Sequence, residues 1–124
     1  LDQALLVTNG QKLVALMDGS DLKPRAALWV HNTDTDTWRL WVVPAKQMND
    51  QREFYRRLSE LVNLHRPELA GLDASDVELV KGDHPAIKGL QGFLHADGLN
   101  SIQISSNLLN GFYLPDGIVL RLAS

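Results

Sequence analysis

A chain of 124 residues with 44% hydrophobic and 22% charged side chains has the size and composition of one globular domain. Its net charge of −3 supplies no basic excess for phosphate-backbone contacts, so nucleic-acid binding is not expected. The absence of cysteine excludes disulfides, thiolate metal sites and cysteine nucleophiles, and no apolar run reaches the length of a membrane span.

These properties predict a cytoplasmic protein without a membrane partner. No signal-peptide pattern is visible. The chain opens at Leu1 rather than methionine, which leaves room for a removed start or leader.

The first predicted element is a helix over Asp2 to Asp18, with Leu6, Leu13, Val14 and Met17 at helical spacing and Gly19 as its stop. Gly10 weakens that helix by about 1 kcal/mol relative to alanine. A break at Asn9-Gly10, followed by a strand over Lys12 to Met17, is the alternative. Ser20 to Arg25 reads as a loop because Pro24 lacks an amide hydrogen.

Two strands follow around a polar loop, spanning Ala26 to Pro44 and holding all three tryptophans. An even pairing register puts Ala26, Leu28 and Val30 with Trp38, Leu40 and Val42 on an apolar face. The other face then carries Ala27, Trp29, His31, Arg39, Trp41 and Val43. A second helix begins at Asp50, with Glu53 completing a capping box, and ends at Pro67. Its inner stripe is Phe54, Leu58, Leu61, Val62 and His65.

A turn over Gly71 to Ser75 leads into a short strand, Val77 to Val80. Asp83 is the predicted N-cap of a third helix, with Pro85 in its first turn and Ile87, Leu90 and Leu94 on its buried side. Gly89 and Gly92 weaken this helix or admit a close neighbour. The remainder is strand-rich, with Ile102 and Ile104 alternating with polar residues. Ser106-Asn107, Asn110-Gly111 and Pro115-Asp116-Gly117 are turn signals. Ile118, Leu120 and Leu122 are expected to point one way.

This order predicts a single α+β domain over residues 1–124. Its sheet is mostly antiparallel, of five or six strands, with about three helices packed mainly on one face.

The loop Asn32-Thr33-Asp34-Thr35-Asp36 invites a calcium-loop interpretation, which fails because Thr37 stands where glycine is needed and Val43 where glutamate is needed. Asn, Asp and Thr are also ordinary hairpin-loop residues. Gly19-Ser20, the paired Asp34 and Asp36, and Glu78 on a later strand resemble in outline the site of minimal nucleotidyltransferases. That resemblance implies an enzyme in which Asp34, Asp36 and Glu78 hold magnesium against a nucleoside triphosphate. Thr35 and Asp21 depart from the family pattern.

The motifs Ala26-Ala27-Leu28-Trp29, Trp38-Arg39-Leu40, Ser101-Ile102-Gln103-Ile104 and Asn110-Gly111 resemble a family of small bacterial proteins of unknown function. None of them is catalytic, so this resemblance implies no activity.

The four histidines lack the spacing of a helical zinc pair, although Asp97 is placed to orient His95. Ser105 and Ser106 have no nucleophile elbow around them. The arginines Arg52, Arg56, Arg57 and Arg66 are interleaved with Glu53 and Glu60, as on a solvated ion-paired face. The remaining lead is Trp29, Arg39 and Trp41 on one hairpin face, with aromatic and guanidinium character typical of contact hot spots. The sequence therefore predicts a non-catalytic binding domain without a cofactor, acting through a protein partner or a homodimer.

Overall fold

A computed structural model describes residues 3–45, 50–105 and 107–123. The elements in chain order are α1 (Gln3–Asp18), β1 (Pro24–Asn32), β2 (Thr37–Pro44), α2 (Gln51–Leu64), β3 (Val77–Leu79), α3 (Pro85–Gln91), β4 (Ile102–Ile104), β5 (Asn107–Leu109), β6 (Phe112–Leu114) and β7 (Gly117–Leu122). Five strands form one sheet in the order β3-β2-β1-β7-β4, and β5 and β6 form a separate two-stranded ribbon. The α+β class is as expected. The large sheet is mixed, because α2 returns the chain to the same end and β3 pairs parallel to β2.

Two of the three helices share one face of the sheet, and the third packs on the other. Leu13, Val14 and Met17 of α1 and Phe54, Leu58 and Val62 of α2 pack on one face of the sheet. Ala86, Ile87 and Leu90 of α3 pack on the other, together with Leu109 and Leu114 of the ribbon. Both faces are buried, so β1 reads as a continuous apolar run from Ala26 to Val30.

The hairpin register is also corrected. Ala27 opposes Val42, Leu28 opposes Trp41, and Trp29 opposes Leu40. Directly opposed residues share a face, so Ala27, Trp29, Leu40 and Val42 meet the α1–α2 layer. Leu28, Val30, Trp41 and Val43 meet the α3 layer. The alternation within each strand was legible, but the register depended on the loop between them.

Helix α1 is unbroken through Gly10, whose place is explained by Trp29. A Cβ built there would lie 2.6 Å from both the Trp29 Nε1 and the Leu120 Cδ1. The glycine lets the indole reach the helix backbone, where Nε1 donates to the Leu6 carbonyl at 2.9 Å. Gly10→Ala is therefore expected to destabilise the domain by about 1–2 kcal/mol. Overpacking of the rigid indole outweighs the roughly 1 kcal/mol gained in helix propensity. Urea denaturation measures the sign, and a stabilised variant would contradict the contact.

Two irregularities change which way side chains point. In β7, Ala27 opposes Arg121 while Leu28 opposes Val119, so Leu120 is an extra residue. Leu120 and Arg121 both turn to the α1 side, and Leu122 then joins the α3 layer. This corrects the expected alignment of Ile118, Leu120 and Leu122. In β1, Pro24 opposes Pro44 while Ala26 opposes Val43, so Arg25 is the extra residue on the α3 side.

Local signals were mostly sound. Asp50 caps α2 by accepting from the amides of Arg52 and Glu53. The Glu53 carboxylate is drawn to Arg56 and Arg57 rather than back to the cap. The α3 cap is His84, not Asp83, since His84 Nδ1 accepts from the Ala86 amide at 3.1 Å. Asn110 and Gly111 both have positive φ and close the β5–β6 turn. Of the Ser106-Asn107 signal, Ser106 lies outside the described residues and Asn107 begins a strand. Gly89 admits Leu109 of the ribbon, whose Cβ would lie 2.7 Å from an added Cβ.

Candidate functional site

Trp29, Arg39 and Trp41 do not form one exposed face. Trp29 is 1% exposed and points into the α1–α2 core, whereas Trp41 is 8% exposed and points to the opposite layer. The edges of His84 and Phe112 close around Trp41, with ring centroids 5.1 and 6.1 Å away. Arg39 shares the Trp41 face of β2 but turns to the neighbouring strand. It donates to the Ser75 carbonyl at 2.9 Å and pairs with Glu78 at 3.3 Å. The odd register is the physical reason that this predicted cluster does not assemble.

Asp34, Asp36 and Glu78 are not brought together either. Asp34 and Asp36 lie in the exposed loop joining β1 to β2. Asn32 Oδ1 accepts the amides of Asp34 and Thr35 at 3.0 and 3.4 Å, which is ordinary loop chemistry. Asp36 has φ of 50° and pairs with His31 Nε2 at 2.8 Å. Glu78 opposes Trp41, which lies about 13 Å along β2 from the start of that strand at Thr37. Among the described residues no three His, Cys, Asp or Glu side chains converge as a metal site. The carboxylates implied by the nucleotidyltransferase resemblance therefore do not fit magnesium with a nucleoside triphosphate.

The arginines of α2 form an ion-paired face. Arg56 contacts Glu53 and Glu60, and Arg57 contacts Glu53 and Asp21. Hydrogen bonds from Arg56 and then Arg57 hold the Glu53 carboxyl down to about 2. Arg66 lies 3.9 Å from Asp73. His95 does meet Asp97, at 3.0 Å, but both groups lie on the surface.

One groove has a different character. It lies on the α3 side, between the Arg25 end of the β1–β2 hairpin, the segment after β3, and Lys88 of α3, and it encloses about 800 Å³. Val43 and Val80 contribute apolar wall, and Arg25, Lys81 and Lys88 contribute three positive charges against the single carboxylate of Asp83. The Arg25 bulge supplies the principal cation, because a regular strand would send that side chain to the α1–α2 layer. The guanidinium lies directly over Gly82, where any side chain would collide with it.

Arg25 stands apart from most other arginines of the chain. Arg39, Arg56, Arg57, Arg66 and Arg121 each have a carboxylate within 4.0 Å. Arg25, like the exposed Arg52, has no such partner among the described residues, and its Nε, like that of Arg39, is buried without a hydrogen bond. A partly buried cation with an unmatched donor is unfavourable alone and well suited to an incoming anion. The sequence put Arg25 in a loop, and no residue pattern marks the bulge that aims it.

Comparison with protein-family models, with curated proteins and with solved structures found no match to this chain. Among the described residues, no helix is long and apolar enough to cross a membrane.

Proposed function

We propose that this chain is a non-catalytic binding domain whose groove at Arg25 takes an acidic segment of a partner protein. The observation that carries this reading is the unpaired guanidinium, turned by a strand bulge into a groove flanked by Lys81 and Lys88. In a chain of net charge −3, this groove is a local reversal of sign. Such a reversal selects and orients an acidic partner more than it adds raw affinity. The apolar walls at Val43 and Val80 give the segment somewhere to bury aliphatic carbon.

Self-association is the second reading, favoured by the outward face of the β5–β6 ribbon. Leu108 and Tyr113 oppose each other there and remain 73% and 59% exposed.

A fluorescein-labelled glutamate-rich peptide tests the groove by anisotropy. Saturable binding is expected, weakening with added salt. Arg25→Ala should lower the affinity about tenfold, as loss of a charged hydrogen bond implies. An unchanged affinity in Arg25→Ala, or no binding at low salt, would remove the proposal. Light scattering on the same samples reads the oligomeric state. A dimer lost in Leu108→Ser and retained in Arg25→Ala would favour the second reading.

A further inference from the structure

A second cavity lies on the opposite side of the sheet from the groove and does not depend on that reading. It is a partly open cleft of about 210 Å³ between α1, the hairpin and the loop before β3, with exposed Leu5, Ala70 and Gly71 at its rim. Leu6, Trp29, Trp38 and Leu72 supply apolar wall, and Asn9 is the polar residue contributed by α1. Asn9 is 6% exposed, and its Oδ1 is buried with no hydrogen-bond partner among the described residues. Asparagine is a poor helix-interior residue, and one buried with an unmatched acceptor is worse still. Helical propensity and core packing both disfavour it here, so the fold alone gives no reason for asparagine at this position.

Two of the other polar side chains at the cavity are already engaged, and the exposed backbone of Ala70 and Gly71 forms part of the rim. The Trp29 Nε1 is committed to Leu6, and Trp38 stacks on His31 with ring centroids 4.6 Å apart. Asp76 also lines the cavity, its carboxylate accepting from the Asp73 amide, and its charge disfavours an anion. An apolar cavity of about 150 Å³ accommodates benzene, so this one has space for a ring with a small substituent.

We propose that this cavity binds a small neutral ring compound carrying one hydroxyl. The ring fills the space between the tryptophans, and the hydroxyl hydrogen-bonds the Asn9 amide. A hydroxyl both donates and accepts, so it matches the amide whichever of its two ends faces the ligand.

Phenol is the probe, with toluene as its match in shape without the hydroxyl. Tryptophan emission, excited at the red edge where neither compound absorbs, reads occupancy. Phenol should change that emission saturably and raise the melting temperature. Asn9→Ala should weaken phenol about tenfold while leaving toluene unchanged or tighter. On the unaltered chain, the Asn9 side-chain amide resonances should move with phenol and stay in place with toluene. That measurement stands even if Asn9→Ala fails to fold. Non-saturable phenol, equal weakening of both compounds by Asn9→Ala, or unmoved Asn9 resonances would each overturn the proposal.

Discussion

Replacing Trp29 with alanine is expected to lower the unfolding free energy by about 4 kcal/mol, a large part of the stability of a domain this size. The indole is among the largest fully buried side chains and packs with residues from both α1 and α2. Its truncation leaves a void between the sheet and α1, and it removes the donor to the Leu6 carbonyl. Gly10 makes the void harder to close, because α1 has no side chain there to settle into it. Trp29→Phe should lose only about 1–2 kcal/mol, since it keeps most of the ring contact and forfeits the hydrogen bond. Urea denaturation monitored by circular dichroism measures both. Retained stability in Trp29→Ala would mean that Trp29 is a surface residue after all, free to contact a partner.

Removing Arg121 should be nearly as severe, at about 3 kcal/mol for Arg121→Leu. The side chain is nearly enclosed, with a bidentate pair to Asp18 at 2.6 and 2.8 Å. It also donates to the carbonyls of Gly98 and Pro24. It thereby joins the end of α1, the start of β1 and the loop before β4. The hydrogen bond from Arg121 is the largest influence on Asp18 and lowers its pKa in spite of burial. A carboxyl with a depressed folded pKa contributes stability that is present above its unfolded value, near 3.9, and is lost as pH falls through the folded one. The stability difference between the natural chain and Asp18→Asn should therefore be flat from pH 7 to about pH 5. It should shrink below about pH 4. A difference that grows on acidification would contradict the pairing.

The sequence was informative wherever a feature depended on neighbours along the chain. Asp50 marked the start of α2, the Phe54, Leu58, Val62 stripe marked its inner side, and Asn110-Gly111 marked the ribbon turn. It was uninformative where two segments had to be placed against each other. A shift of one residue between β1 and β2 separates Trp29 from Trp41, yet neither strand contains the information that sets it. The same limit hid the groove, because the Arg25 bulge is a mismatch between strands rather than a pattern within one. Gly10 misled for a related reason. Its helix propensity is poor, but the partner that requires it is nineteen residues away at Trp29. Asp34, Asp36 and Glu78 matched a spacing in the chain, and the topology directed them to different places.

The sheet ends on both sides in a three-residue strand, β3 at one margin and β4 at the other. Such short margins offer few free amide and carbonyl groups in a row, so a neighbouring chain gains little by aligning along them. The long, strongly apolar strands β1 and β7 lie inside, paired on both sides. The longest apolar backbone of the sheet is thus withheld from edge-to-edge pairing with a neighbouring molecule.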